Sequence, residues 1–197
     1  MTEKCWYNLD IDMTEVFRPD WKWPDVTGSD YGIWLYPKIS KLVTQKWLSM
    51  IRSKGLNVQA CMLFFRGKRF QRTTAHVDIY SVSDDDKTIK IAPLGLNWII
   101  GGSDSFMTWY EPSKHPIKIS YSDAKTPYAD WPISSLKESD RCNIKNKLTL
   151  VRTDVPHNIE MGDDPRWCVS FRLADKDNYT WDSTVSMLRD KKLLIER

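Results

Sequence analysis

The sequence predicts a mainly β protein with helical flanks. Between residues 56 and 173, short runs rich in β-branched and aromatic residues alternate with turn residues. One stretch ahead of that region and one after it carry helical signals. A sandwich and a jelly-roll barrel both fit this pattern, and propensity does not choose between them.

The first 35 residues are rich in Trp, Pro and Asp and hold no sustained period, so residues 1–35 read as an irregular arm. A helix is expected over 39–54. Ile39, Leu42, Val43, Trp47, Leu48 and Ile51 fall at the three-to-four spacing of one apolar face, with Pro37 ahead and Gly55 behind. Strands are expected near 57–65, 73–80, 88–93, 96–101, 105–110, 116–121, 147–153, 155–159 and 166–173. Gly67-Lys68 marks a turn, and Gly101-Gly102-Ser103-Asp104 reads as a hairpin turn. The polar stretch 122–146, with Pro127 and Pro132, reads as a long loop, and either it or the arm 1–35 is expected to cover the functional face as a lid. A last helix is expected over 183–194, with Asp182 as its N-cap. No internal repeat or low-complexity segment appears.

At 197 residues the chain reads as a single domain, 1–197, large enough to build a core without disulfides. A 41% hydrophobic and 28% charged composition is that of an ordinary soluble globule. The net charge of +3 gives no ground for a nucleic-acid partner, which needs clustered Lys/Arg on one face. No secretory signal is visible in MTEKCWYNLDIDM, and no apolar run approaches the ~18 residues of a membrane span. Cys5, Cys61, Cys142 and Cys168 lack CxxC spacing, so they read as reduced thiols in a cytoplasmic protein and are given no role. Ten Trp residues are a heavy load for this length; some are expected to line a pocket or partner surface, though a Trp is more often a large core residue.

The chemistry lies with the histidines, His76, His115 and His157. In TTAHVDIY, His76 and Asp78 stand two apart on an expected strand, so both side chains take one face. A second histidine from a distant strand would complete a 2-His-1-carboxylate facial triad, which leaves open positions on an iron(II) ion. The segment DVPHNIEMGDDPRWCVSFRL supplies His157, 81 residues after His76, then Arg166 nine further and Ser170 four beyond that. Arg166, Cys168, Ser170 and Arg172 share strand parity. His115 precedes Pro116 in an expected loop and reads as surface.

This order — HxD, a long gap, His, then Arg at about nine and a hydroxyl four further on — resembles the iron(II)/2-oxoglutarate-dependent dioxygenases. The spacing is most similar to the prolyl and aspartyl/asparaginyl hydroxylase branches. The segment LGLNWIIGGSDSFMTWYEP resembles the middle of small superfamily members found in bacteriophage genomes, and the resemblance spans about 56–173. It implies a double-stranded β-helix, a jelly roll like that of the cupins, with His76, Asp78 and His157 as iron(II) ligands. It makes Arg166 the partner of the distal carboxylate of 2-oxoglutarate, with Ser170 as helper. Asn97 would reach the co-substrate or order groups behind it, or simply bond a loop. Arg172, six residues past Arg166 and so roughly 20 Å along the strand, cannot share the same small diacid. It is left for the primary substrate, for the alternative co-substrate role, or for the surface. Tyr80, Trp98, Trp109 and Tyr110 could wall the cavity or fill the core.

The implied reaction couples oxidative decarboxylation of 2-oxoglutarate, giving succinate and CO₂, to hydroxylation of a substrate C–H bond. The branch resemblance favours an amino-acid or peptidyl side chain. Two other classes remain open: a cupin-like metal module that does not use 2-oxoglutarate, and a non-catalytic interaction protein. A membrane partner is not expected.

Overall fold

The computed structural model describes residues 4–69, 74–82, 89–102, 104–111, 118–121, 127–174 and 179–195; at 80–82, 89, 118 and 120 it describes the backbone alone. Fourteen strands form two seven-stranded sheets, antiparallel at every pairing among the described residues. They are β1 (Trp6–Leu9), β2 (Gly32–Leu35), β3 (Val58–Arg66), β4 (Thr74–Val82), β5 (Ile89–Ile91), β6 (Leu94–Gly101), β7 (Phe106–Tyr110), β8 (Lys118–Tyr121), β9 (Pro127–Pro132), β10 (Glu138–Cys142), β11 (Leu148–Arg152), β12 (His157–Glu160), β13 (Arg166–Leu173) and β14 (Leu194–Ile195). The first sheet runs β14-β1-β11-β6-β13-β3-β2. The second runs β10-β7-β12-β4-β9-β8, with β5 also on β4.

Alternation along the strands gives each sheet two different faces. On the first sheet, Leu63, Leu96, Val169 and Phe171 face a large apolar cluster with the helices α1 (Ile39–Leu42), α2 (Gln45–Ser53) and α3 (Trp181–Asp190). Trp47 of α2 packs on Phe171 at 4.8 Å between ring centroids, and Trp181, Val185 and Leu188 of α3 join the same cluster. Each such large side chain contributes about 1.5–3 kcal/mol by leaving water. The opposite face of the first sheet packs on the second sheet, where Ile99, Val151 and Cys168 meet Met107 and Trp109.

The expected strands are all present, with ends shifted by a few residues. The helix expected over 39–54 is two helices. Val43 is extended and bridges Phe17, and Thr44 caps α2 by accepting from the Trp47 amide while its hydroxyl donates to the Glu15 carbonyl. Two successive β-branched residues, one of them a good N-cap, break the run. Gly55, at φ +92°, ends α2 as expected. The last helix begins earlier than expected, because Thr180 rather than Asp182 caps it, in a reciprocal capping box with Ser183. It stops at Asp190, and Leu194–Ile195 pair with β1.

Three further expectations are corrected. The arm is not irregular throughout: it gives β1 and β2 to the first sheet. Residues 127–142 are not loop but β9, a 3₁₀ turn over Ile133–Ser135 and β10. Pro127 and Pro132 sit at the two ends of β9, and polar β10 is an edge strand, the positions where prolines and charge are tolerated. Gly101 and Gly102, at φ +81° and +61°, do not close a hairpin. They carry the chain from β6 in the first sheet to β7 in the second. Ser103, His115, residues 122–126 and the Tyr80 side chain lie outside the described residues. Among the described residues no helix is long and apolar enough to cross a membrane.

Candidate metal centre

On β4, Val77 and Ile79 join an outer cluster with Ala129 and Trp131, so His76 and Asp78 point between the sheets. β12 brings the second histidine: His157 stands directly opposite His76 on one side and Trp109 on the other. One ligand atom from each of His76, Asp78 and His157 lies within 4.8 Å of the others, and the group could hold a metal ion. Asp78 Oδ1 is 3.6 Å from His76 Nε2 and 4.0 Å from His157 Nε2. The two imidazole centroids are 4.4 Å apart. His157 Nδ1 lies 2.9 Å from the Val155 carbonyl. With its proton on Nδ1 the ring donates there and turns an Nε2 lone pair to the centre, the orientation a metal-bound imidazole needs. The donor set of two imidazoles and one carboxylate suits a divalent first-row metal.

Across from this triad, β13 presents Arg166, Cys168, Ser170 and Arg172. Arg172 is not at the surface: its Nη1 donates to Asp78 Oδ2 at 3.0 Å. Gly95 lies beside it: a Cβ there would make ordinary contacts, 3.5 Å from Arg172 Nη1 and 3.9 Å from Asn97 Oδ1. Ser170 is buried and stands opposite Asn97 in the β13–β6 register. Asn97 Oδ1 is buried, and no donor among the described residues reaches it.

Arg166 is 2% exposed. Its Nη1 donates to Ser105 Oγ at 2.9 Å; among the described residues its Nε finds no acceptor and no carboxylate pairs with it. Burial pushes its guanidinium below the usual arginine range. Burial also pushes the Cys168 thiol up, with Arg166, Arg66 and Arg172 opposing that shift and Asp78 adding to it.

The expected wall residues divide. Trp109 lines the intersheet space beside His157. Trp98 packs on the helical side of the first sheet, and Tyr110, two residues from Trp109's neighbour Thr108, points away from the triad on the outer face of the second. Several neighbours of the triad escaped sequence reasoning. The Tyr128 ring stands perpendicular to His76 at 6.3 Å, and Asp130 lies opposite His76 in the β4–β9 register. Both fall in the stretch read as loop, which hid them. Gly95 was legible in principle: it stands two residues before Asn97, on the same strand face.

No protein-family model matches the chain, and no curated protein matches it either.

Proposed function

We propose that this chain is an iron(II)- and 2-oxoglutarate-dependent dioxygenase that hydroxylates a C–H bond of an amino-acid or peptidyl side chain. The observation that carries the reading is a 2-His-1-carboxylate set on the inner face of one sheet and, on the inner face of the other, a buried arginine that pairs with no carboxylate among the described residues. A buried cation whose partner among the described residues is a hydroxyl is costly unless an anion joins it, and a keto diacid chelating the metal would bring one.

A double-stranded β-helix is the fold that this reading requires. Strand order supports it: β11-β6-β13-β3 in one sheet lies against β10-β7-β12-β4 in the other. The chain passes between those two sets at β3 to β4, β6 to β7, β10 to β11 and β12 to β13.

In this reading His76, His157 and Asp78 Oδ1 hold the metal. Arg172 retains Asp78 Oδ2, which favours coordination through a single carboxylate oxygen and keeps other positions open. Arg166 takes the distal carboxylate of 2-oxoglutarate in a charge-assisted fork. Ser170 and Asn97 stand between the two arginines as further hydrogen-bonding groups. Trp109, Phe64 and Ile159 supply an apolar lining that limits water. Iron(II) with 2-oxoglutarate and O₂ supplies the oxidising chemistry when bound.

The test is succinate formation from 2-oxoglutarate by the purified chain with iron(II) and O₂, over a panel of amino acids and peptides. Dependence on iron(II), and loss in Asp78→Ala, is the expected result. Metal binding without any 2-oxoglutarate binding would favour a cupin-like module instead.

A further inference from the structure

The space between the two sheets is sealed along one long side and open along the other. On the sealed side the inward residues Trp109 and Met107 of β7, Ile99 of β6 and Val151 of β11 are at most 2% exposed. Exposure then rises across the triad: the His157 side chain is 4% exposed, His76 13% and Asp78 23%. It rises further on the strands beyond.

Strand register names the residues there, because directly opposed residues of an antiparallel pair share a face. Arg172 stands opposite Ala60, Ser170 opposite Met62 and Cys168 opposite Phe64, so these three residues of β3 carry the inner face of the first sheet past β13. Trp34 stands opposite Phe64 and carries it onto the edge strand β2. On the second sheet Asp130 opposes His76 and Tyr128 opposes Asp78, so both turn inward from β9. Inner-face positions of two packed sheets ordinarily interdigitate as core. Here Ala60 is exposed, Met62, Phe64, Tyr128 and Asp130 are half-buried, and Trp34 is 43% exposed. The sheets part at this side and leave a cleft that leads from solvent to His76 and Asp78.

We propose that this cleft holds the primary substrate, and that the substrate is an extended polypeptide rather than a free amino acid. The inference rests on the dioxygenase reading above and chooses between the two substrate classes it leaves open. Reach is the first reason. β2 lies two strands beyond β13, so at about 4.8 Å per strand the wall runs on for about 10 Å past the strand whose Arg172 meets Asp78. An extended chain covers at most ~3.3–3.6 Å per residue, so that wall takes about three residues. The second reason is the lining. Met62, Phe64 and Trp34 offer apolar area to side chains, while Tyr128 and Asp130 across from them bring hydrogen-bonding groups for peptide amides. A nucleic-acid strand would need a run of cations along its track, and the described walls between Arg66 and Arg172 hold none. Contacts on Phe64 and Trp34, remote from the reacting carbon, supply binding energy that holds the target side chain at the metal.

Calorimetry on the manganese(II)-loaded chain with 2-oxoglutarate and without O₂ tests this. The probes are blocked pentapeptides with each amino acid at the centre of an alanine frame, the same amino acids free, and a single-stranded oligothymidylate. At least one pentapeptide is expected to bind about 10-fold or more tightly than its central amino acid alone. Trp34→Ala should weaken that pentapeptide by about 10-fold and Trp34→Phe by less, with manganese(II) and 2-oxoglutarate affinities unchanged in both. Met62→Ala, on the same wall, should also weaken it, and decides the question if Trp34→Ala loses manganese(II) through misfolding. A free amino acid that binds as tightly as its pentapeptide, or the oligothymidylate binding where no pentapeptide does, overturns the polypeptide assignment and leaves the co-substrate reading standing. So does a chain that binds 2-oxoglutarate and none of the probes. Pentapeptide binding that both the Trp34 and Met62 variants keep in full overturns the cleft as its site. Failure of wild type to bind 2-oxoglutarate overturns the dioxygenase reading and this inference with it.

Discussion

Arg172 reaches across the interior from the first sheet to the second and donates to Asp78 Oδ2 at 3.0 Å, while Asp78 Oδ1 faces both His76 and His157. The carboxylate is thus divided between a guanidinium and the two imidazoles. Removing the guanidinium frees it to rotate. Arg172→Gln is expected to lower manganese(II) or nickel(II) affinity by about 10- to 100-fold, the usual effect of losing a group that orients a ligand. Unchanged affinity on titration would show that Asp78 needs no such support. Gly95→Ala should be tolerated, since its Cβ makes ordinary contacts, whereas the branches of Gly95→Val would press on Arg172 and mimic its loss.

Asp78→Ala removes the one anionic member of the triad. Metal affinity should fall by orders of magnitude, further than in Arg172→Gln. Acid should release the metal from wild type, because a ligating imidazole must keep a lone pair. A titration in which Asp78→Ala binds metal as wild type does would rule the triad out.

Arg166 offers a stability test as well as a binding test. Arg166→Ala should weaken 2-oxoglutarate by about 10²- to 10³-fold with little effect on metal. Arg166→Met should raise the stability of the ligand-free chain by about 1–4 kcal/mol, since an apolar isostere relieves a buried cation. Denaturant unfolding measures this, and a fall in stability would mean that Arg166 is fully compensated without a ligand.

The four thiols are all buried, and burial pushes Cys61 and Cys168 up from the ordinary 9.0. Below about pH 9 these two thiols hold their protons in the folded and unfolded chain alike. Above it the unfolded chain releases protons that the folded chain keeps, so stability falls with rising pH by about 1.4 kcal/mol per thiol per unit. Unfolding midpoints measured from about pH 8 to 10.5 should drop more steeply for wild type than for Cys168→Ala. Parallel curves would show that Cys168 contributes nothing to the slope.

Residues 17–23 of the N-terminal arm pack away from the triad, although Cys5 and Trp6 join the intersheet cluster. Phe17 stacks on Trp98 at 5.4 Å and Trp23 packs on Trp167 at 5.1 Å, on the helical side of the first sheet. Hydrogen exchange over residues 10–23 should therefore not respond to metal plus co-substrate, which removes this part of the arm as a lid. Phe17→Ala should cost about 1–3 kcal/mol of stability and leave metal affinity unchanged. A loss of metal binding in that variant would tie the arm to the centre.

The sequence by itself determined what is local. Period two put His76 and Asp78 on one face, and put Arg166, Ser170 and Arg172 on another, before any strand had a partner. β-branched and aromatic runs marked the strands, and Gly55 marked the end of α2. Tertiary structure decided what depends on pairing between distant segments. Gly101-Gly102 has the composition of a hairpin turn, yet β6 finds β13 and β11 while β7 finds β12 and β10. Polar β10 and proline-bounded β9 are strands only because a sheet was there to accept them, so Tyr128 and Asp130 could not be placed near His76 in advance. Arg172 had three open roles on its own strand. Only the packing of two sheets, which brought it within 3.0 Å of Asp78, gave it one.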